Sequence, residues 1–129
     1  VWQLTRNYNS FLVKRDGATF TREPLNLTQK HSPKYSGLAN KNAFGINAGK
    51  DGAAVVLVKS RKASAPSRPA KLYHKYTLTS NARKSVRSIK KTVGATRPDL
   101  VHVAAARITR IKRAARVAAK KNTKKAAQQ

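Results

Sequence analysis

Hydrophobic and polar positions follow two periods along this chain, a short alternating one up to about residue 80 and a helical one after it. Residues 10–13 form a short apolar run, followed by Lys14-Arg15, then Asp16-Gly17, then Ala18-Thr19-Phe20-Thr21. An Asp-Gly pair between two such runs predicts a hairpin with a type I′ turn, because both central positions need positive φ. Thr19 and Thr21 alternate with Ala18 and Phe20, so the second strand buries one face only, and Pro24 stops it. Residues 25–42 carry Pro33, Gly37 and several Asn and Ser without a period, and read as a long loop that a partner orders. A strand is expected over 44–47 and a turn at Asp51-Gly52. The continuous apolar run 53–59 then reads as a central strand buried on both sides. Leu72, His74, Tyr76 and Leu78 share one face of a last strand.

From residue 81 the period lengthens. Ala82, Val86, Ile89 and Val93 make one helical stripe, with Ser80 or Asn81 as the cap and Gly94 as the stop. A second helix opens at Thr96-Arg97-Pro98-Asp99, where Thr96 and Asp99 have capping-box spacing and Pro98 suits the first turn. Leu100, Ala104, Ile108, Ile111, Ala115 and Ala118 form its apolar stripe. No apolar face remains after Lys120, so a flexible basic tail is expected there. The loop 60–69, rich in Pro, Ser and charge, is not expected to pack on a core. The fold class that follows is α+β. A small antiparallel sheet of four or five strands is covered on one face by the helix 82–93, and a second basic helix and a basic tail project from it. The chain divides accordingly into an α+β domain (1–95), a basic helical extension (96–119) and a tail (120–129).

Composition narrows the chemistry. The chain has 129 residues, which suits one domain, and it lacks Cys and Met. Without Cys there are no disulfides, no thiolate catalysis and no cysteine-based zinc site. The longest apolar run, 53–58, is far short of the ~18 residues that span a bilayer, and no N-terminal segment resembles a signal peptide. A soluble intracellular protein is expected, either with its initiator removed or beginning a little after its true start.

Charge changes the picture most. There are 29 Lys+Arg against 4 Asp+Glu, a formal charge of +25. Residues 1–80 hold 14 cations and 3 acids, and the shorter stretch 81–129 holds 15 and 1. Such self-repulsion destabilises a lone folded chain and calls for a polyanionic partner, and phosphate is the natural one. A merely solvated surface mixes both signs.

Catalysis has little to work with. Asp16 and Asp51 precede turn glycines, Asp99 sits in a first helical turn, and Glu23 stands alone. His31, His74 and His102 lack metal-ligand spacing. Gly45-Ile-Asn-Ala-Gly-Lys50 is one residue short of a phosphate loop, with Asp51 where Ser or Thr would hold magnesium. No enzyme, metal, cofactor or small-molecule substrate is expected. The cations, in contrast, lack i,i+4 carboxylates that would pair them internally. The candidate phosphate contacts are Arg83, Lys84, Arg87, Lys90 and Lys91 on the first helix, with Arg107, Arg110, Arg113 and Arg116 at every third position of the second. Lys59, Arg61, Lys62 and Arg68 join them from the loop side, and Lys120 and Lys121 from the tail. Arg offers phosphate a planar fork and Lys a mobile point charge. Tyr8, Tyr35, Tyr73 and Tyr76 are of the type that stacks on unpaired bases, although half or more of such tyrosines simply pack. Tyr35, beside Lys34 in the unpatterned loop, is singled out.

The run Trp2-x-x-x-Arg6-Asn7-x-x-Ser10-Phe11-Leu12-Val13-Lys14-Arg15 resembles the opening of the eukaryotic large-subunit ribosomal protein twenty-eight family, of the L-twenty-eight-e type. Glu23-Pro24 with Asn26-Leu27, Tyr35-Ser36-Gly37-Leu38, the segment 52–59, Asn81-Ala82-Arg83 and Arg97-Pro98-Asp99-Leu100 follow in the same order. Order and spacing carry the resemblance, from Trp2 to about Ile111; the loop 60–69 varies freely in the family pattern.

The resemblance implies a structural constituent of the cytosolic large ribosomal subunit. Its partners would be ribosomal RNA and neighbouring ribosomal proteins, with assembly passing through the nucleolus and no membrane involved. A related ribosome-assembly factor family shares the domain but is longer, with cysteines and an acidic C-terminal region, which this chain lacks. The alternatives are a general nucleic-acid-binding protein, such as that assembly factor, or a chromatin protein. A membrane-active helix would place bulky apolar residues and Trp opposite Lys; the second helix is Ala-rich and the sole Trp is at the other end of the chain.

Overall fold

The structure, a computed structural model, describes residues 1–59 and 69–126. It opens on a single helical turn, α1 (Trp2–Thr5), too short to leave a periodic signal. Asp16 (φ 45°) and Gly17 (φ 77°) both adopt left-handed backbone. The predicted type I′ turn therefore joins β1 (Leu12–Arg15) to β2 (Ala18–Thr21), with Arg15 opposite Ala18 and Leu12 opposite Thr21. One face of β2 is buried, and it is the threonine face: Thr21 is enclosed while Phe20 stands 48% exposed. Alternation says that one face is covered, but not which.

The remaining strands are β3 (Ala43–Ala48), β4 (Ala54–Lys59) and β5 (Tyr73–Leu78), in the order β3-β4-β5. The apolar run is thus central, but it is not buried on both sides: Ala54 and Val56 are buried, while Val55, Leu57 and Val58 are half-buried. The five strands make two antiparallel sheets, of two and three strands, rather than one. The outer edge of β2 is already taken. The Thr21 N–H donates to Gln29 O (2.9 Å) and Phe20 bridges Lys30, while Pro24 just beyond has no N–H to offer a ladder. A 3-10 turn at Lys50–Gly52 links β3 to β4, closed by Gly49 N–H donating to Ala53 O (2.8 Å).

The segment expected to wait for a partner is ordered by its own side chains. Glu23 is buried, and its carboxylate accepts from the Ser36 hydroxyl (3.2 Å) and the Gly37 N–H (2.7 Å). Asn26 Oδ1 accepts from the N–H groups of Thr28 (3.1 Å) and Gln29 (2.7 Å), and its Nδ2 donates to Lys30 O (3.0 Å). Asn40 Nδ2 donates to Pro33 O (2.7 Å) and Ser36 O (2.8 Å). Backbone passes so close to backbone here that a Cβ on Gly45 would lie 2.0 Å from Pro24 O. The absence of a period signals a loop, not disorder, when Asn, Ser and Glu supply the missing hydrogen bonds.

The chain forms two compact units, residues 1–46 with 56–76, and 47–55 with 77–129. Leu25, Leu27, Phe44, Ile46 and Val56 are buried in the first. The second contains α2 (Ala82–Gly94) and α3 (Val101–Ala126) packed on each other. Asn81 is the cap of α2, its Oδ1 accepting from Lys84 N–H (3.0 Å); the Ser80 carbonyl instead accepts from the buried Ser85 hydroxyl (3.0 Å). The capping box before α3 does not form. Thr96 Oγ1 donates back to Thr92 O (3.2 Å), and Asp99 takes the fork of Arg97 (Nε–Oδ1 2.9 Å, Nη2–Oδ2 2.8 Å). That hydrogen bond raises Arg97 above its ordinary guanidinium value, against a smaller opposing effect of burial. A 3-10 turn at Pro98–Leu100 then leads into α3.

Part of the apolar stripe of α3 is buried. Leu100 in the preceding turn and Ala104 and Ile108 in its first half are buried, and Ala104 is small enough to let a neighbouring helix approach. Its helical backbone also continues beyond Ala119, through the stretch read as a tail, to Ala126. Ala and Lys are strong helix formers and no Gly or Pro interrupts them.

Candidate nucleic-acid interface

The short connection after α2 folds α3 back along it, which brings the start of α2 beside the middle of α3. The groove between them encloses about 1020 Å³ and is bordered by Ser80, Asn81 and Arg83 on one side and by Lys112, Arg113 and Arg116 on the other. Arg83, Arg113 and Arg116 are exposed, and none of them forms an ion pair among the described residues. Asn81, Ala82 and Arg83, the start of α2, line the same groove, which places the positive end of a helix dipole beside it. Lys112 looks like a fourth member but is held. Its Nζ donates to Leu78 O (2.9 Å) and Thr79 O (3.3 Å), tying α3 to the end of β5. Gly52 (φ 71°) closes the floor, where a Cβ would come 2.9 Å from the Ala115 methyl.

Arg113 also borders a second, shallower depression of about 470 Å³ along α3, shared with Arg110, Val117 and Lys121. Arg87 and Lys90 follow Arg83 on one side of α2 at i+4 and i+7, with Lys84 and Lys91 beside them, and all are exposed. Lys120 is exposed near the end of α3, and Arg107 is half-buried and engaged within the protein.

The other predicted residues are placed differently. Lys59 Nζ donates to Gly37 O (2.9 Å) and Asn40 O (3.2 Å), so its head closes the loop around Glu23. Tyr35 is half-buried with the Lys34 ammonium 5.8 Å from its ring centre, a cation–π contact. Arg61, Lys62 and Arg68 lie outside the described residues. His31 packs on Trp2 with ring centres 4.8 Å apart and Nε2 2.7 Å from Arg6 O, a structural histidine. No helix among the described residues is long and apolar enough to cross a membrane. Tyr8, one of the four tyrosines of the stacking type but not the one singled out, is 88% exposed. The signal available was its setting, between Asn7 and Asn9 in a stretch with no apolar period.

Fold and surface together define a basic α+β protein whose helix pair presents arginines that the described residues do not neutralise. Residues 1–114 match the model of the Ribosomal L28e protein family, and the chain belongs to that family. It is 38% identical over 117 residues to a Schizosaccharomyces pombe protein named large ribosomal subunit protein eL28, covering 86% of this chain and 87% of that one. The Caenorhabditis elegans protein of the same name is 42% identical over 96 residues, covering 73% and 72%. The Dictyostelium discoideum one is 35% identical over 127 residues, covering 98% and 94%.

Proposed function

We propose that this protein is a structural, non-enzymatic constituent of the cytosolic large ribosomal subunit, holding ribosomal RNA by contacts from its cations to phosphates. The observation that carries the reading is the groove where Arg83, Arg113 and Arg116 converge at the N-terminus of α2. Three guanidinium forks suit closely spaced phosphate oxygens. Arg87, Lys90, Arg110 and Lys121 extend the cationic surface on either side. Neighbouring ribosomal proteins are its further partners, and assembly passes through the nucleolus. The names carried by its relatives support this assignment. The test is sedimentation of the tagged chain through a sucrose gradient. It should travel with large subunits and stay there through moderate salt; a chain left at the top of the gradient, or one that prefers duplex DNA to structured RNA, overturns the proposal.

A further inference from the structure

We propose that Tyr8 is a stacking platform for one unpaired base of the RNA, a contact of different chemistry that rests on the reading of the partner as RNA. Tyr8 has the greatest exposure of any large apolar side chain described, 88%. The backbone under the ring is pinned on both sides. Before it, Arg6 N–H donates to Trp2 O (2.9 Å) and Arg6 O meets His31 Nε2 (2.7 Å). After it, Asn9 Nδ2 donates to Thr5 O (2.9 Å) and Asn9 Oδ1 accepts from Phe11 N–H (2.9 Å). A ring on such a base loses little freedom on binding, since only its own two torsions remain to be ordered.

The ring borders an open depression of about 650 Å³, shared with Asn7, Ser10, Leu12 and Lys14. Asn7 and Ser10 offer an amide and a hydroxyl to a base edge, and the exposed Lys14 offers an ammonium to the adjoining phosphate. No carboxylate borders the depression. One cation, Lys14, and the lack of a carboxylate favour a phosphate-bearing nucleotide as the occupant.

The full chain is titrated with a short oligoadenylate and with an abasic ribose-phosphate strand of the same length, across a range of salt. Wild type should favour oligoadenylate by about fivefold or more, the effect of one base stacked on one ring. Tyr8→Leu should abolish that preference and Tyr8→Phe should keep it. All three proteins should show the same salt slope and melting temperature, because the side chain is exposed. A preference retained in Tyr8→Leu, or lost in Tyr8→Phe, overturns the stacking role. So does a Tyr8→Leu protein that keeps the preference but dissociates from large subunits, which would mean a protein neighbour. Equal binding of both strands by wild type overturns this inference alone; binding of neither removes the RNA reading as well.

Discussion

The segment 21–41 and the helix pair are both rich in polar side chains, and they turn them in opposite directions. In the segment, Glu23, Asn26, Ser36 and Asn40 point inward and satisfy a backbone that has no ladder to join. In the helices every interior N–H and C=O already has its i−4 partner, so the arginines are left to face outward. A polar residue therefore builds structure where the backbone is short of partners and builds a surface where it is not. The lysines show the rule within one residue type. Lys59 and Lys112 both lie near irregular chain, and each donates to two carbonyls. Lys84, Lys90 and Lys91, on regular helix, are exposed.

The contrast is sharpest at Glu23. Glu23→Ala should destabilise the full chain by about 3 kcal/mol in urea unfolding, because the buried Ser36 hydroxyl and Gly37 N–H lose a charged acceptor. The salt slope of RNA binding should not move. A loss below about 1 kcal/mol would show that the segment does not depend on its carboxylate.

The converse experiment removes Arg83, Arg113 and Arg116 together as alanines. Each lost phosphate contact should make the log–log salt dependence of RNA affinity shallower by about one unit. Unfolding should change by no more than about 0.5 kcal/mol per site. An unchanged slope would take the groove out of the interface.

Lys112→Met breaks the comparison from within, since Lys112 borders the same groove. It should cost about 1.5–2 kcal/mol of stability, with the slope unchanged. A changed slope at constant stability would return Lys112 to the phosphate surface. The smallest effects concern the caps. Asn81→Ala should cost about 1 kcal/mol. Thr96→Ala, whose hydroxyl does not cap α3, should stay within about 0.5 kcal/mol in thermal melts.

Local signals were legible because the physics behind them is local. Asp16-Gly17 demanded two positive φ values, and only a type I′ hairpin accommodates them between short strands. The stripe at Ala82, Val86, Ile89 and Val93 dictated a helix, and Asn81 could cap it whatever the surroundings. The uncompensated charge was also plain, since no arrangement of four acids neutralises 29 cations. These, with the ordered family segments, are what the sequence by itself determined: an α+β class, two basic helices, and membership of a ribosomal family.

Tertiary structure decided what depends on partners distant in the chain. Gln29 and Lys30 pair with the outer edge of β2, which separates its hairpin from the other three strands. Carbonyls of Gly37 and Asn40, and of Leu78 and Thr79, are the acceptors that set Lys59 and Lys112 apart from the exposed lysines. Folding α3 back on α2 placed Arg83, Arg113 and Arg116, up to 33 positions apart, on one groove. Periodicity records which face of an element is apolar, but what lies opposite that face is fixed only when the chain closes on itself.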